Sequence, residues 1–191
     1  MTEKHSADIK KEVRERFKSH RMSLGRAEIL EKSSLICQKL LNLREFKNSK
    51  LVHCYSPIDE ANEVDTTNIL NYVIGSSKQL LLPKIVKDGQ LSHHSVDSLT
   101  DLKINKWGVA EPITTVEADV SKIDLVIVPM VAGDFDRNRL GYGKGFYDRF
   151  LSKTDAITVG LLFEIQLSKE TLPTESFDIK LDKLITEERI I

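Results

Sequence analysis

IDLVIVPMV, residues 123–131, is the most apolar run in the chain. Its length and its content of valine and isoleucine predict a strand that is buried on both faces, as at the centre of a parallel sheet. The run ITVGLLF, residues 157–163, has the same character and follows a helical stretch that begins near Gly145. Strands that are interleaved with helices in this way indicate a parallel α/β sheet with helices on both sides.

Two further strands and a helix are predicted earlier in the chain. The runs LVHCYS, residues 51–56, and QLLLPKI, residues 79–85, are short, apolar and typical of buried strands. Between them, residues 63–74 predict a helix with Asp65 or Thr66 near its N-terminal cap. We therefore expect a three-layer α/β/α architecture with a mainly parallel central sheet.

Helical periodicity is strongest near the N-terminus. Ser6 or Asp8 can cap a helix that reaches about Arg21, and a second helix is predicted over residues 27–43. The second helix has an apolar stripe of helical period formed by Ile29, Ser33, Ile36, Leu40 and Leu43. Because the chain has 191 residues and no repeat or linker, we expect a single domain over residues 1–191.

The charge balance limits the classes of partner. The 28 Lys and Arg residues nearly balance the 29 Asp and Glu residues, which leaves a net charge of -1. This balance gives no general attraction to nucleic acid or to a membrane, so an anion site must be local. No apolar run approaches the about 20 residues that span a bilayer, and the polar start lacks the apolar core of a signal peptide. We expect a cytoplasmic protein that binds neither nucleic acid nor membrane.

The cysteines and paired histidines do not predict a metal site. Cys37 and Cys54 lie in apolar segments without CxxC spacing, so we expect buried free thiols. His93 and His94 are adjacent, so in a strand they point to opposite faces and cannot easily chelate one ion. We expect both histidines at the surface.

NRLGYGKGFYDRF, residues 138–150, is the segment richest in functional signals. Gly141, Gly143 and Gly145 remove side chains, so consecutive amides can curl round an anion at the start of the following helix. Lys144 and Arg139 add positive charge. Because ligands of open α/β sheets bind beyond the carboxyl ends of the strands, this glycine loop predicts a phosphate site.

Two standard phosphate motifs do not match. A P-loop requires a hydroxyl residue after its lysine, whereas Gly145 follows Lys144. The dinucleotide fingerprint GxGxxG fails because Phe146 stands at the position of its third glycine. The alternative without function is a glycine turn that joins strand to helix, with its cations solvated.

Several segments together resemble the 5-formyltetrahydrofolate cyclo-ligase family, also called methenyltetrahydrofolate synthetases. The most specific is the glycine loop, with NRLG at residues 138–141 and GKGFYDR at residues 143–149, downstream of the strand end Val128-Pro129. Weaker matches follow the order of the family and cover nearly the whole chain: Lys10 to Arg14, EVDT at 63–66, LPK at 82–84, WGVAEP at 107–112 and Leu181-Asp182.

The resemblance implies a NagB/RpiA/CoA-transferase-like fold and an ATP-dependent ring closure. In that family the formyl oxygen of 5-formyltetrahydrofolate attacks the γ-phosphate of MgATP to form an iminophosphate. A neighbouring folate nitrogen then closes the ring, giving 5,10-methenyltetrahydrofolate, ADP and phosphate. The implied co-substrate is ATP, the implied metal is Mg²⁺ and the implied partner is a small-molecule folate. We expect a monomer or a weak homo-oligomer.

The resemblance also implies roles for individual residues. The catalytic residues would be Lys144 and Arg139. Contacts to ATP would come from Lys10, Lys11, Arg14, Arg139, Leu140, Gly141, Tyr142, Gly143, Lys144, Gly145, Phe146 and Tyr147. Contacts to folate would come from Arg14, Tyr55, Ser56, Glu63, Trp107, Tyr142, Phe146 and Tyr147. The metal ligands would be Asp148 and Asp182.

Each of these roles has a plainer alternative. Lys10 and Arg14 share a helix face that can simply be solvated, and Asp148 can be a dipole partner in the first turn of its helix. Glu63 can be an exposed acid at a helix entry, and Trp107 can belong to the core. A small-molecule kinase or ligase with another acceptor, and a folate- or nucleotide-binding regulator without activity, are the competing functions.

Overall fold

The computed structural model describes residues 3–86 and 89–191. The helices are α1 (Glu3–Met22), α2 (Arg26–Asn42), α3 (Arg44–Asn48), α4 (Thr67–Ile74) and α5 (Phe146–Leu151). The strands are β1 (Leu51–His53), β2 (Gln79–Ile85), β3 (Leu91–Ser95), β4 (Leu102–Ile104), β5 (Ala110–Pro112), β6 (Leu125–Pro129), β7 (Ala132–Asp134), β8 (Arg139–Leu140), β9 (Ile157–Leu161), β10 (Leu167–Ser168) and β11 (Lys183–Ile185).

The central sheet has the strand order β11-β9-β6-β1-β2-β3 in the part of the chain that the structure describes. All its pairings are parallel except that between β2 and β3, which confirms the prediction of a mainly parallel α/β sheet. Two small sheets, β10-β7-β8 and β4-β5, lie outside it.

Strand β6 lies inside the sheet, as the run at residues 123–131 predicts. Its residues from Leu125 to Val128 are fully buried, and alternate residues contribute to two different apolar clusters. Leu125 and Ile127 belong to the cluster that contains side chains of α2 and α4, whereas Val126 and Val128 pack in the cluster that contains α5. Helices therefore cover both faces, which explains why the strand is continuously apolar.

The other predicted elements are found with shifted ends. Strand β2 has the predicted bounds, but β1 ends at His53, and Cys54, Tyr55 and Ser56 continue as buried chain without strand structure. The prediction that Ser6 or Asp8 caps the first helix is wrong, because α1 begins at Glu3. Cys37 and Cys54 are buried free thiols, as expected.

The prediction that His93 and His94 lie at the surface is wrong, since both are buried. Strand β3 is at the edge of the sheet, but other segments cover both of its faces. The His93 ring packs against Phe150 of α5, with ring centroids 4.1 Å apart. The His94 Nδ1 lies 2.7 Å from the Val116 carbonyl oxygen, in a segment whose Ala118 amide also bonds the His93 carbonyl.

No helix in the described ranges, 3–86 and 89–191, has the length and apolarity required to span a membrane.

Candidate active site

A cavity of about 700 Å³ opens where β1, β2 and β6 end. Its walls include Tyr55 and Ser56 after β1, Ile85 at the end of β2 and Pro129 at the end of β6. Carboxyl ends of parallel strands meet at one edge of a sheet, so this location agrees with the general position of ligand sites in open α/β folds. Helix α1, the glycine loop and residues 175–178 complete the walls.

Most of the site residues that the sequence predicts line this one cavity. They are Lys10, Arg14, Tyr55, Ser56, Glu63, Trp107, Arg139, Leu140, Gly141, Tyr142, Gly143, Lys144, Gly145, Phe146, Tyr147 and Asp148. Two predicted residues are not among the lining residues. Lys11 is exposed on α1, and Asp182 lies just before β11, where its Oδ2 accepts hydrogen bonds from the amide and the hydroxyl of Thr158.

The glycine loop adopts backbone conformations that favour glycine. Gly143 and Gly145 have φ values of 86° and 65°, in the left-handed region, and Gly145 is the N-terminal cap of α5. A Cβ atom at Gly143 would lie 3.1 Å from the guanidinium carbon of Arg14. The left-handed backbone and the close contact with α1 therefore explain why the motif has glycine at positions 143 and 145.

Four cationic side chains line the cavity, and they differ in their hydrogen-bond and salt-bridge partners. Arg139 donates a 2.5 Å hydrogen bond to Asp148 Oδ1, and Lys10 contacts the carboxylates of Glu175 and Asp178 at 2.7 and 2.5 Å. Arg14 donates from Nε to the Gly141 carbonyl oxygen at 2.9 Å. Lys144 is exposed and forms no salt bridge with any residue that the structure describes.

Glu63 is buried, so its interpretation as an exposed acid at a helix entry is wrong. Its Oε2 accepts a 2.8 Å hydrogen bond from the Ile58 amide, and its Oε1 accepts one from the Tyr142 hydroxyl. Burial raises the pKa of Glu63 above its ordinary value, while the hydrogen bonds from Tyr142 and Ile58 and the charge of Arg21 oppose that rise. The hydrogen bonds hold the Glu63 carboxyl group in a fixed orientation at the cavity wall.

Trp107 is not a core residue, because about half of its surface is exposed. The Lys106 Nζ lies 4.5 Å from the centroid of its ring. Tyr147, in contrast, is half-buried with its hydroxyl oxygen shielded from solvent, and burial raises the pKa of that hydroxyl well above the ordinary value. The cavity wall therefore contains both an exposed aromatic ring and a neutral phenol whose hydroxyl is shielded from solvent.

Three buried polar atoms in the cavity wall have no hydrogen-bond partner among the described residues. They are Ser56 Oγ, Arg139 Nε and the Tyr147 hydroxyl. Buried polar groups are normally paired, because an unpaired one costs roughly 1–3 kcal/mol.

Sequence reasoning missed Glu175 and Asp178, which bring negative charge to the cavity beside Lys10. The amide of Ile179, next to Asp178, donates a 3.4 Å hydrogen bond to Asp148 Oδ1. Asp178 thus lies in the segment that touches Asp148, whereas Asp182 does not line the cavity. More than 160 positions separate Lys10 from these acids, and no local pattern encodes such a contact.

Among the described residues, no group of three or more His, Cys, Asp or Glu side chains could hold a metal ion unaided. Magnesium that accompanies a nucleotide does not require such a group, because it is bound by one or two carboxylates together with phosphates. Asp148 has an oxygen, Oδ2, that accepts no hydrogen bond from the described part of the chain. The donors at the cavity therefore fit a magnesium ion that arrives with a polyphosphate.

Comparison with known proteins gives a consistent assignment. The model of the 5-formyltetrahydrofolate cyclo-ligase family matches residues 6–187. A probable 5-formyltetrahydrofolate cyclo-ligase of Schizosaccharomyces pombe is 32% identical over 88% of this chain and 92% of its own length. The 5-formyltetrahydrofolate cyclo-ligase of Haemophilus influenzae is 29% identical over 90% of this chain and 94% of its own.

A solved structure agrees with the sequence relatives. The NMR structure of Aquifex aeolicus 5,10-methenyltetrahydrofolate synthetase matches with a TM-score of 0.84 and 35% identity, covering 95% of this chain and 91% of that chain. The match in sequence extends over nearly the whole chain, and the match in structure includes the sheet whose strand ends form the cavity. The chain therefore belongs to the 5-formyltetrahydrofolate cyclo-ligase family.

Proposed function

We propose that this protein converts 5-formyltetrahydrofolate to 5,10-methenyltetrahydrofolate, using MgATP and releasing ADP and phosphate. The names of the family and of its solved relative support the reaction. The observation that carries the proposal is the shared cavity. The glycine loop with its cations and the buried acid Glu63 line the same 700 Å³ space, so a phosphate donor and a folate can meet there.

The triphosphate of ATP would lie against the glycine loop. Amides of residues 141–145 and the side chain of Lys144 would bind its oxygens, with Arg14 and Arg139 adding charge. Lys10 would join them by exchanging its carboxylate partners, Glu175 and Asp178, for phosphate oxygens. Phosphoryl transfer requires mainly positioning and charge neutralisation, and this set of groups supplies both.

The folate ring would lie against Glu63 and Trp107. The Glu63 carboxylate can accept a pair of hydrogen bonds from the adjacent N–H donors of the pterin. The exposed face of Trp107 can stack on a flat ring, and Phe146 and Tyr147 add aromatic surface to the cavity wall. This arrangement would direct the formyl group towards the phosphates.

Asp148 and Asp178 would hold the magnesium ion that accompanies ATP. Both carboxylates line the cavity, and the chain at Asp178 contacts Asp148 through the Ile179 amide. The ion would neutralise phosphate charge. This assignment replaces Asp182, whose carboxylate is bonded to Thr158 away from the cavity.

The reaction balances in two steps. The formyl oxygen of the substrate attacks the γ-phosphorus, the bond from that phosphorus to the bridging oxygen breaks, and ADP leaves. The neighbouring folate nitrogen then attacks the activated formyl carbon to form the new C–N bond. The C–O bond breaks, and the phosphate departs with the former formyl oxygen and takes up the proton that the attacking nitrogen loses. Lys144 and Arg139 would stabilise the charge on the transferred phosphoryl group.

The direct test is a spectroscopic assay with isotope labelling. Protein mixed with MgATP and 5-formyltetrahydrofolate should generate the near-ultraviolet absorbance of the methenyl product, and only when both substrates are present. With ¹⁸O in the formyl group, the released phosphate should carry the label. ATP turnover with another acceptor, or folate binding without turnover, would contradict the proposal and favour a different enzyme or a binding protein, respectively.

A further inference from the structure

Arg21 is a buried guanidinium that touches no carboxylate in the described structure. Its Nη2 donates a 2.9 Å hydrogen bond to the Tyr142 hydroxyl, and that hydroxyl donates to Glu63 Oε1. Its Nη1 donates to the Met130 carbonyl oxygen at 3.3 Å. A buried cation and a buried anion are therefore joined through one phenol, and we call this chain of contacts the Arg21–Tyr142–Glu63 relay.

The relay comes from three distant parts of the sequence. Arg21 is in the last turn of α1, Glu63 precedes α4, and Tyr142 stands between the glycines of the loop. Arg21 does not line the cavity, whereas Tyr142 and Glu63 do. Arg21 can therefore act on a ligand only through the other two residues.

The geometry around Glu63 leaves room for a bidentate ligand. An ionised carboxylate has about four acceptor sites on its two oxygens. The Ile58 amide uses one on Oε2, and the Tyr142 hydroxyl uses one on Oε1, so one site remains on each oxygen. A protonated carboxyl would place its own O–H at one of these sites, so it could no longer accept both hydrogen bonds of a paired N–H ligand.

We propose that Arg21 and Tyr142 are positioning residues that hold the Glu63 carboxylate ionised and oriented for the paired N–H donors of the folate ring. This role rests on the proposed function, because it assigns folate as the ligand of Glu63. This role differs from packing, because it requires the Tyr142 hydroxyl and the Arg21 charge and not only the volume of the two side chains.

Other groups near Glu63 do not compete for this role. The charge of Glu63 acts on two further phenols, those of Tyr55, after β1, and Tyr147, in α5. Burial raises the pKa of both phenols well above the ordinary value, so both are neutral at neutral pH. The charge that acts on Glu63 in this range is that of Arg21.

The test is the titration of Glu63 itself, followed by ¹³C NMR of labelled glutamate in the protein without ligands. Tyr142→Phe removes the hydroxyl and retains the ring, and Arg21→Gln removes the charge. Each change should raise the pKa of Glu63 relative to the wild type, and Arg21→Lys should give a smaller rise. Arg26→Gln is the matched control, because Arg26 is an exposed arginine paired with Asp59.

The same variants should weaken folate binding in a pH-dependent way. The KM for folate should rise about tenfold in Tyr142→Phe, the size expected for losing a hydrogen bond to a charged group. Below neutral pH the loss should begin at a higher pH than in the wild type, because less Glu63 is ionised. An unchanged Glu63 titration in both Tyr142→Phe and Arg21→Gln would overturn the relay.

The Glu63 titration requires neither ATP nor folate, so a failure of the relay can be distinguished from a failure of the proposed function. If Glu63 shifts as expected but the wild type forms no methenyl product, the proposed function fails and the relay stands. If the wild type is active and Glu63 does not shift, the relay fails and the proposed function stands.

Discussion

Arg14 Nε donates a 2.9 Å hydrogen bond to the carbonyl oxygen of Gly141, which ties the first helix to the glycine loop. The same guanidinium lies against Gly143, where no side chain intervenes. Arg14 and Gly141 are 127 positions apart in sequence, so the proposed phosphate site is complete only when the chain has folded. Arg14 is therefore placed both to shape the loop and to meet a ligand in the cavity.

Arg14→Ala should raise the KM for ATP about tenfold or more, because it removes a cation and a contact that shapes the loop. Lys11→Ala is the matched control. Lys11 is on the same helix but exposed and outside the cavity wall, so its loss should change KM less than about twofold. Steady-state kinetics with varied ATP measures both, and equal effects in the two variants would contradict the assignment.

Lys144→Ala should lower kcat about 100-fold, the size typical for removing one group that stabilises transition-state charge. The melting temperature should stay the same within about 2 °C, because Lys144 is exposed and makes no salt bridge in the described ranges. Lys153→Ala, an exposed lysine just beyond α5, should change neither quantity. Retention of near wild-type turnover in Lys144→Ala would remove this residue from the mechanism.

Asp178→Asn should raise the magnesium concentration for half-maximal activity about tenfold or more at fixed ATP. Asp182→Asn should leave that concentration unchanged, because the Asp182 carboxylate accepts hydrogen bonds from Thr158 and does not line the cavity. Magnesium titrations of the two variants decide between the acids. A shift in Asp182→Asn with none in Asp178→Asn would restore the prediction made from sequence.

The buried histidine pair should make the free energy of unfolding depend on pH. His93 Nδ1 lies 3.1 Å from His53 Nε2, and burial lowers the pKa of His93 to about 4 and that of His53 well below its ordinary value. Unfolded histidines take up protons below about pH 6.5, while the folded pair stays neutral. The free energy of unfolding should therefore fall as the pH drops from about 6.5 towards 4.

Urea unfolding at about pH 7, 6 and 5 measures this dependence. His93→Gln removes one titrating group, so its slope between about pH 6 and 5 should be smaller by about 1 kcal/mol per pH unit. Acidic groups titrate in both proteins, so their contribution cancels when the slope of one protein is subtracted from that of the other. The same slope in both proteins would show that His93 does not contribute.

The sheet was predictable because its strands carry strong local signals. The runs that form β2, β6 and β9 are apolar in themselves, and the glycine loop is recognisable from its composition alone. The strand predicted over residues 51–56 is longer than β1, which ends at His53. Cys54, Tyr55 and Ser56 are buried although they lie beyond the strand, so burial alone does not indicate strand structure there.

Long-range contacts determine features of the structure that local patterns in the sequence do not indicate. The burial of His94 depends on residues 116–118 covering an edge strand, which its own neighbourhood in sequence does not indicate. Asp178 and Asp182 are four residues apart, and only the path of the chain shows that Asp178 faces the cavity while Asp182 bonds Thr158. A motif match in sequence order could not separate these two acids.

The central claim is that the glycine loop binds the triphosphate beside the folate. The most direct measurement is a crystal structure of the protein with a non-hydrolysable ATP analogue, magnesium and 5-formyltetrahydrofolate. We predict that the γ-phosphate lies against the amides of residues 141–145 and Lys144, within reach of a formyl group on a pterin held by Glu63. A triphosphate bound elsewhere, with the loop empty, would contradict the account.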